Sequence, residues 1–269
     1  MPFIANTESD RREMLAAIGL ETLDDLFGDV PSELRCKGLD VSPGQSEQEV
    51  RDRLARLADR NATGLVSFLG GGFYDHFVPA AVEAMVSRSE FYTAYTPYQP
   101  EISQGTLQAV YEFQSVICRL TGMEAANASL YDGGTALYEA MMMALRVTGR
   151  RRVIVDDSVN PIYRKMIRSY TRNLGIELLE TSSANGLPDR EELQKELNDD
   201  TAALIVQNPN FFGCIDNLSD LAEMIQDRGG LLICSCYPIA LGLIRPPGEM
   251  GADIVVGEGQ SLGLPLSFG

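Results

Sequence analysis

From about residue 150 onward, this chain alternates short apolar runs with longer amphipathic segments. This pattern restricts the possible fold classes more than any other feature of the sequence. Short β-branched and apolar runs predict strands, and the segments between them have helical periodicity. The predicted strands are 153–155, 177–179, 203–206, 231–234 and 253–256, and the predicted helices are 161–174, 191–197 and 218–228. Strands that alternate with helices form a mostly parallel sheet with helices on both faces. We therefore predict a doubly wound α/β fold.

Polar residues stand where the predicted strands end. They are Asp156-Asp157-Ser158, Asn208-Pro209-Asn210, Ser235 and Glu258. In sheets of this kind, ligands bind just past the carboxyl ends of the strands. We therefore expect ligand-binding groups at this edge of the sheet.

A tyrosine-rich segment, YTAYTPYQPEISQGTLQAVYEFQ, occupies residues 92–114. Pro97 and Pro100 disfavour helical backbone in the residues before them, so the first part is predicted to be extended. From Gly105 an apolar repeat predicts a helix, with one face formed by Leu107, Val110, Gln114, Ile117 and Leu120. A loop with this many large hydrogen-bonding side chains is predicted to line a site or a subunit interface. A tyrosine-rich packing loop is the alternative.

Residues 1–62 differ from the rest because they predict short helices joined by turns. Ser46 and Glu49 form a capping-box pattern, and Val50, Leu54 and Leu57 follow at helical spacing. We interpret 1–62 as an N-terminal helical appendage that packs on a larger body, the domain formed by 63–269. No Gly/Ser linker, low-complexity tract or internal repeat separates the two parts.

The composition excludes several classes of partner. The formal net charge is −16 and the longest basic cluster is Arg150-Arg151-Arg152, so neither nucleic acid nor an anionic membrane surface is expected to bind. The five cysteines fit no metal or disulfide spacing, which favours reduced thiols in a cytoplasmic protein. We expect neither a signal peptide nor a membrane span, since no apolar run approaches the ~18 residues that a span needs.

Several long segments resemble one enzyme family. They are FLGGGFYDHFVPAAV at 68–82, YTPYQPEISQGTLQA at 95–109, ANASLYDGGTALYEAM at 126–141, QNPNFFGCID at 207–216 and RPPGEMGADIVVGEGQSLGLPLSFG at 245–269. The chain resembles glycine dehydrogenase (decarboxylating), the P-protein of the glycine cleavage system, and is most similar to subunit 1 of its split bacterial form. The resemblance covers essentially the whole chain. It implies the aminotransferase-like fold (type I) of pyridoxal phosphate (PLP) enzymes. Because family subunits carry a further C-terminal domain, we expect a truncated chain with an incomplete large domain.

The resemblance also implies that PLP is held by a partner, glycine dehydrogenase subunit 2. PLP enzymes bind the cofactor through a lysine, and this chain has lysines only at positions 37, 165 and 195. Ser261 stands near the position where the fold family places that lysine. Relatives often have Asp-Pro where this chain has Tyr237-Pro238, and commonly His-Pro where it has Asn160-Pro161.

Two glycine-rich segments are candidates for the site. Asp132-Gly133-Gly134-Thr135 stands where relatives cradle the PLP phosphate, and we interpret Gly133, Gly134 and Thr135 as a remnant phosphate loop without cofactor. The same residues are typical of an ordinary turn and helix cap. Gly70-Gly71-Gly72 precedes His76, the only histidine, and lacks the strand-GxGxxG-helix context of a dinucleotide site. His76 is either a structural residue or part of the site.

The resemblance implies that the chain, together with subunit 2 in a heterotetramer, decarboxylates glycine and transfers the aminomethyl group to the lipoyl arm of H-protein. Tyr95, Tyr98, Gln99 and Glu101 are expected to border the pocket, with His76 nearby, and to position the glycine carboxylate and the lipoyl arm. No metal is expected. One alternative is a self-sufficient PLP-dependent aminotransferase or lyase, against which the absent C-terminal lysine argues. The other is a structural or regulatory paralogue without catalysis.

Overall fold

The computed structural model describes residues 5–36, 38–66, 68, 70–72, 74–91, 96, 97 and 100–266. The chain divides into two compact units, Met1–Val66 and Ser67–Gly269, and the β-sheet lies in the second. Within the described ranges, no helix combines the length and the apolar character that a membrane crossing requires.

The first unit consists of short helices that begin at side-chain caps. α1 spans Glu8–Ala17 and α2 spans Glu47–Ala58, with 3-10 helices at Leu23–Phe27 and Ser32–Leu34. At the start of α2, the Glu49 amide donates to the Ser46 hydroxyl and the Ser46 amide donates to the Glu49 carboxylate, the latter at 2.7 Å. The predicted capping box is therefore confirmed. Among the described residues of this unit, Leu15 alone is buried.

The second unit opens with α3 (Ala80–Val86), a 3-10 turn (Ser89–Phe91) and the long α4 (Pro100–Thr121). The prediction that this last helix starts at Gly105 is wrong, because it begins at Pro100. Proline suits the first turn of a helix, where its missing N–H would have no partner in any case. The backbone leaves helical geometry at Ser103, where φ is −116° and ψ is 20°. Beyond it, the predicted face of the helix is partly buried, as expected.

The strand and helix alternation predicted from residue 150 onward is present. The elements are α5 (Gly133–Thr148), β1 (Arg152–Asp156), α6 (Pro161–Thr171), β2 (Glu177–Thr181), β3 (Ser183–Ala184), β4 (Leu187–Pro188), α7 (Arg190–Glu196), β5 (Thr201–Asn208), α8 (Ser219–Gln226), β6 (Leu231–Cys236) and β7 (Ile254–Gly257). Five strands form one sheet in the order β2-β1-β5-β6-β7, and every neighbouring pair in it is parallel. β3 and β4 form a separate antiparallel hairpin.

Helices cover both faces of the sheet, which explains why its strands are apolar throughout. Val153 and Val155 of β1 belong to the cluster that contains residues of α5 and α6, whereas Ile154 belongs to the cluster that contains residues of α7 and α8. Successive side chains of a strand point to opposite faces, so a strand buried on both sides needs apolar residues at consecutive positions. The doubly wound architecture is therefore confirmed.

All five strands of the sheet end later than predicted, and in β1, β5 and β6 the added residues include polar ones. Asp156 and Asn208 are the last residues of β1 and β5, and Ser235 lies inside β6. These polar side chains extend a strand without penalty where they find hydrogen-bond partners. The Asn208 side chain donates to the Asp216 carbonyl at 3.0 Å and accepts from the Asp216 amide at 3.1 Å.

Candidate functional site

The candidate site lies at the carboxyl ends of β1, β5, β6 and β7, beside the amino terminus of α5. His76, Gly133, Gly134 and Thr135 lie in the described part of the second unit. Tyr95, Tyr98 and Gln99 lie outside the described residues. Glu101 is in the first turn of α4, and its side chain also lies outside what the structure describes.

The amino terminus of α5 is bound by two carboxylates of the chain itself. The Thr135 amide donates to Oδ1 of the capping residue Asp132 at 2.7 Å, and the Gly133 amide donates to Oε2 of Glu258 at 2.8 Å. A helix amino terminus attracts anions because its first amides have no intrahelical partner and the helix dipole is positive there. Glu258, which follows β7, therefore provides the Gly133 amide with an acceptor from within the chain.

The glycines of this loop are explained by the close approach of α6. A Cβ added to Gly133 would lie 2.5 Å from the Tyr163 hydroxyl oxygen, and one added to Gly134 would lie 2.5 Å from the Met166 sulfur. Real Cβ atoms essentially never lie this close, so a larger residue at either position would require the side chain of Tyr163 or Met166 to move. The Gly-Gly pair therefore has a packing role that requires no phosphate.

Tyr163 places a neutral phenol against the start of α5. Burial raises its pKa to about 12, and the nearby carboxylates of Glu258 and Asp132 add to the shift because they disfavour a second negative charge. The hydroxyl therefore keeps its hydrogen throughout the physiological pH range. The sequence reasoning missed this residue, and the signal that points to it is the glycine pair that makes room for its ring.

His76 is held at the same edge by a pair of tyrosines. Its Nε2 is hydrogen-bonded to the hydroxyl of Tyr237, the residue that follows β6. The ring of Tyr74 packs edge-to-face on Tyr237, with ring centroids 5.5 Å apart and an interplanar angle of 80°. The segment before them passes close to α6, since a Cβ on Gly72 would lie 2.8 Å from Nδ2 of Asn160. The glycine there also has a φ of +98°, a value that other residues rarely adopt.

Asn160 acts as a helix cap. Its Oδ1 accepts a hydrogen bond from the Ile162 amide at 2.9 Å at the start of α6. The backbone amide of Asn160 donates to Oε1 of Gln207 in β5 at 2.8 Å. Asparagine is among the preferred capping residues, so its presence has a local structural reason.

Asp156 is fully buried at the end of β1. Its Oδ1 accepts hydrogen bonds from the amide and the hydroxyl of Ser158, whereas its Oδ2 has no hydrogen-bond partner in the described part of the chain. Burial raises the pKa of this carboxyl, because the charged form loses its hydration, although the Ser158 bonds partly oppose the shift.

The residues present do not fit PLP as a resident cofactor. Of the lysines, Lys165 and Lys195 lie in the described ranges and are exposed on α6 and α7. Ser261, which the resemblance implies is near the position of the cofactor lysine, is buried, and its hydroxyl has no hydrogen-bond partner among the described residues. Tyr237, the residue that follows β6, is not an acid, and Glu258 binds the first amide of α5. No group of three metal-ligating side chains occurs in the part of the chain that the structure describes.

The parallel sheet with helices on both of its faces is the fold of the type I PLP-dependent enzymes. Sphingosine-1-phosphate lyase of Burkholderia pseudomallei K96243 shares this architecture with a TM-score of 0.54 at 16% identity, over 87% of this chain and 56% of that one. This likeness concerns the fold alone. The predicted aminotransferase-like fold is therefore confirmed.

The chain belongs to the glycine cleavage system P-protein family, whose sequence profile matches residues 1–269. It is 58% identical over 271 residues to the probable glycine dehydrogenase (decarboxylating) subunit 1 of Geotalea uraniireducens (strain Rf4). It superposes with a TM-score of 0.88, at 45% identity, on the crystal structure of a glycine decarboxylase (P-protein) in inhibitor-bound form. All of this chain is covered in both comparisons, and it spans 61% of the length of each relative.

Proposed function

We propose that this chain acts as the subunit of a glycine-decarboxylating P-protein that does not carry PLP. In this proposal it completes an active site on a partner, glycine dehydrogenase subunit 2. The family membership supports the reaction, and the name of the relatives, "subunit 1", supports the existence of a partner. The observation that carries the division of labour is the Glu258 carboxylate on the Gly133 amide, together with Ser261 at the lysine position.

When bound on the partner, PLP supplies the electron sink that makes loss of carbon dioxide from glycine possible. This chain's residues bind and orient. We assign Tyr95, Tyr98, Gln99 and Glu101 to the border of the pocket, with His76 nearby. They hold the glycine carboxylate and guide the lipoyl arm of H-protein, to which the aminomethyl group passes. Correct placement of reactants is worth several kcal/mol of barrier, so losing one such contact lowers the rate measurably.

The first test is reconstitution. The purified chain with added PLP should show no visible absorbance band of a Schiff base between PLP and a lysine. It should also release no carbon dioxide from glycine. The mixture with subunit 2, PLP and lipoylated H-protein should release it. A borohydride-trappable PLP adduct on a lysine of this chain alone would contradict the proposal and favour an independent PLP enzyme.

The second test concerns the pocket residues. Glu101→Gln should lower the activity of the reconstituted pair at least tenfold while its assembly, followed by size-exclusion chromatography, stays unchanged. Glu112→Gln is the matched control, because Glu112 is an exposed residue of the same helix whose carboxylate accepts a hydrogen bond from Gln108 at 2.8 Å. Equal activities of the two variants would indicate that the 95–101 segment has only a packing role.

A further inference from the structure

Tyr237 is fixed in place by its surroundings on both sides. It is half-buried between the end of β6 and the 3-10 helix Pro238–Gly242. Tyr74 packs on its ring at a right angle, and the His76 ring lies 5.7 Å from it, centroid to centroid, tilted by 34°. An aromatic side chain packed in this way has little rotational freedom, so the direction of its hydroxyl is set by the fold.

The hydroxyl of Tyr237 retains its hydrogen at neutral pH. Burial raises its pKa, and the neighbouring Tyr74 and Glu258 raise it further, because both disfavour a phenolate. A half-buried hydroxyl hydrogen requires an acceptor, and His76 Nε2 is the acceptor it meets among the described residues. If Nε2 accepts, the neutral imidazole must carry its single hydrogen on Nδ1.

We propose that Tyr237 is a positioning residue that donates its hydroxyl hydrogen to Nε2 of His76 and so fixes the ring in the Nδ1–H tautomer. Nδ1 has no hydrogen-bond partner among the described residues. In this tautomer the ring presents Nδ1–H as a single donor of fixed direction at the carboxyl edge of the sheet. Its natural acceptor is a carboxylate, and the assignment of that carboxylate to the amino-acid substrate rests on the proposed function.

A hydrogen-bond donor is needed at this edge of the sheet for an electrostatic reason. Asp132 and Glu258 already lie at the adjacent start of α5, and the chain as a whole has a formal net charge of −16. A substrate carboxylate that enters here needs a hydrogen bond to offset the loss of its hydration. With its hydrogen on Nδ1, the ring can donate a hydrogen bond to a ligand. In the opposite tautomer, the ring would donate its hydrogen to the Tyr237 hydroxyl instead.

The tautomer can be measured directly because His76 is the only histidine in the chain. In the ¹⁵N-histidine-labelled full chain, long-range ¹H–¹⁵N correlation spectra report which ring nitrogen carries the hydrogen. They are recorded at a pH above the ring's own titration, which the same spectra locate. We expect the Nδ1–H form in the wild-type chain and loss of that preference in Tyr237→Phe. Tyr74→Phe is the control, since it keeps the packed ring and should leave the tautomer unchanged.

A wild-type ring with its hydrogen on Nε2 would overturn the proposal without any variant. An unchanged tautomer in Tyr237→Phe would overturn it as well.

In the reconstituted pair, Tyr237→Phe should raise the KM for glycine about three- to tenfold with a smaller change in kcat, as expected for a lost binding contact. An unchanged KM would overturn the substrate-carboxylate step. A wild-type pair with no activity toward glycine would instead refute the proposed function, and the tautomer assignment would stand.

Discussion

In α2, the residues Val50, Leu54 and Leu57 leave large parts of their apolar side chains exposed, whereas Leu204, Leu221 and Leu232 of the second unit are completely buried. The first unit is therefore stabilised mainly by local contacts, such as the capping boxes of α1 and α2. The second unit is stabilised by burial between residues far apart in the sequence. Local contacts contribute about 1 kcal/mol each, and a fully buried leucine contributes about 1.5 to 3 kcal/mol. The same residue type should therefore respond differently in the two units.

The largest difference is expected from a matched pair of leucine truncations. Leu221→Ala removes a fully buried side chain of α8 and should lower the free energy of unfolding by about 2 to 5 kcal/mol, since it leaves a cavity in the core. Leu54→Ala truncates a side chain that is 59% exposed and should change stability by less than about 0.5 kcal/mol. Urea unfolding followed by circular dichroism measures both. Similar losses in the two variants would show that Leu54 is covered in solution.

The second difference concerns the buried carboxyl group of Asp156, which has no buried counterpart among the described residues of the first unit. The carboxyl of Asp156 has a raised pKa in the folded state, so folding is penalised once the pH exceeds the unfolded value of about 3.9. The penalty grows as the pH rises through the folded-state pKa and persists above it. Asp156→Asn keeps the Oδ1 acceptor for Ser158 and removes the charge. It should raise the free energy of unfolding at pH 7 by about 1 kcal/mol, the scale of an unsatisfied buried polar group.

Urea titrations at pH 3.5 and pH 7 test this sign. The stability advantage of Asp156→Asn should shrink toward zero at the lower pH, where both side chains are neutral. Asp157→Asn is the control, because the Asp157 carboxylate is less buried and accepts a hydrogen bond from the Ser183 amide at 2.8 Å. An Asp156→Asn variant that is less stable than wild type at pH 7 would show that the buried carboxylate is stabilising.

The sheet could be predicted from the sequence because its signals are local. Each strand is an apolar run such as 203–206, and each helix has an amphipathic repeat, so element types follow from windows of a few residues. The start of α4 could not be placed in this way, since Pro100 is compatible both with an extended segment and with a helical first turn. The resemblance supplied the fold family and directed attention to Gly133 and His76.

The contacts of the site could not be predicted, because they join residues that are distant in the sequence. Glu258 meets the Gly133 amide across 125 positions, and Tyr237 meets His76 across 161. No periodicity or motif encodes which side chain reaches which loop. The interpretation of Gly133 and Gly134 as a remnant phosphate loop stays a prediction, and the close approach of Tyr163 and Met166 adds a packing reason that the sequence does not reveal.

The third prediction compares helix caps. Ser46→Ala removes the hydroxyl that caps α2 and should destabilise that helix by about 1 kcal/mol. Because α2 lies in the unit with few buried contacts, hydrogen exchange should accelerate for the amides of Glu47–Ala58 and stay unchanged for those of the sheet. Asp132→Ala removes the corresponding cap of α5, whose residues Leu137 and Met141 are fully buried. There the same loss should appear in global unfolding instead of local exchange.

The smallest effect is expected from the ion pair of α1, in which Arg11 lies 2.5 Å from Glu8 one turn earlier. Exposed pairs at this spacing contribute only a few tenths of a kcal/mol and are screened by salt. Glu8→Gln should therefore slightly speed amide exchange in Glu8–Ala17 at low ionic strength, and the difference should vanish near 1 M salt.

In the second unit, Arg152 bonds both Glu177 and Glu196 at 3.0 Å with a side chain only 10% exposed. Glu177→Gln should therefore cost more than Glu8→Gln and respond less to salt, because a buried guanidinium is poorly screened. Equal salt dependence of the two variants would mean that Arg152 is hydrated in solution. The ion pairs of the two units would then not differ in the way that their leucines do.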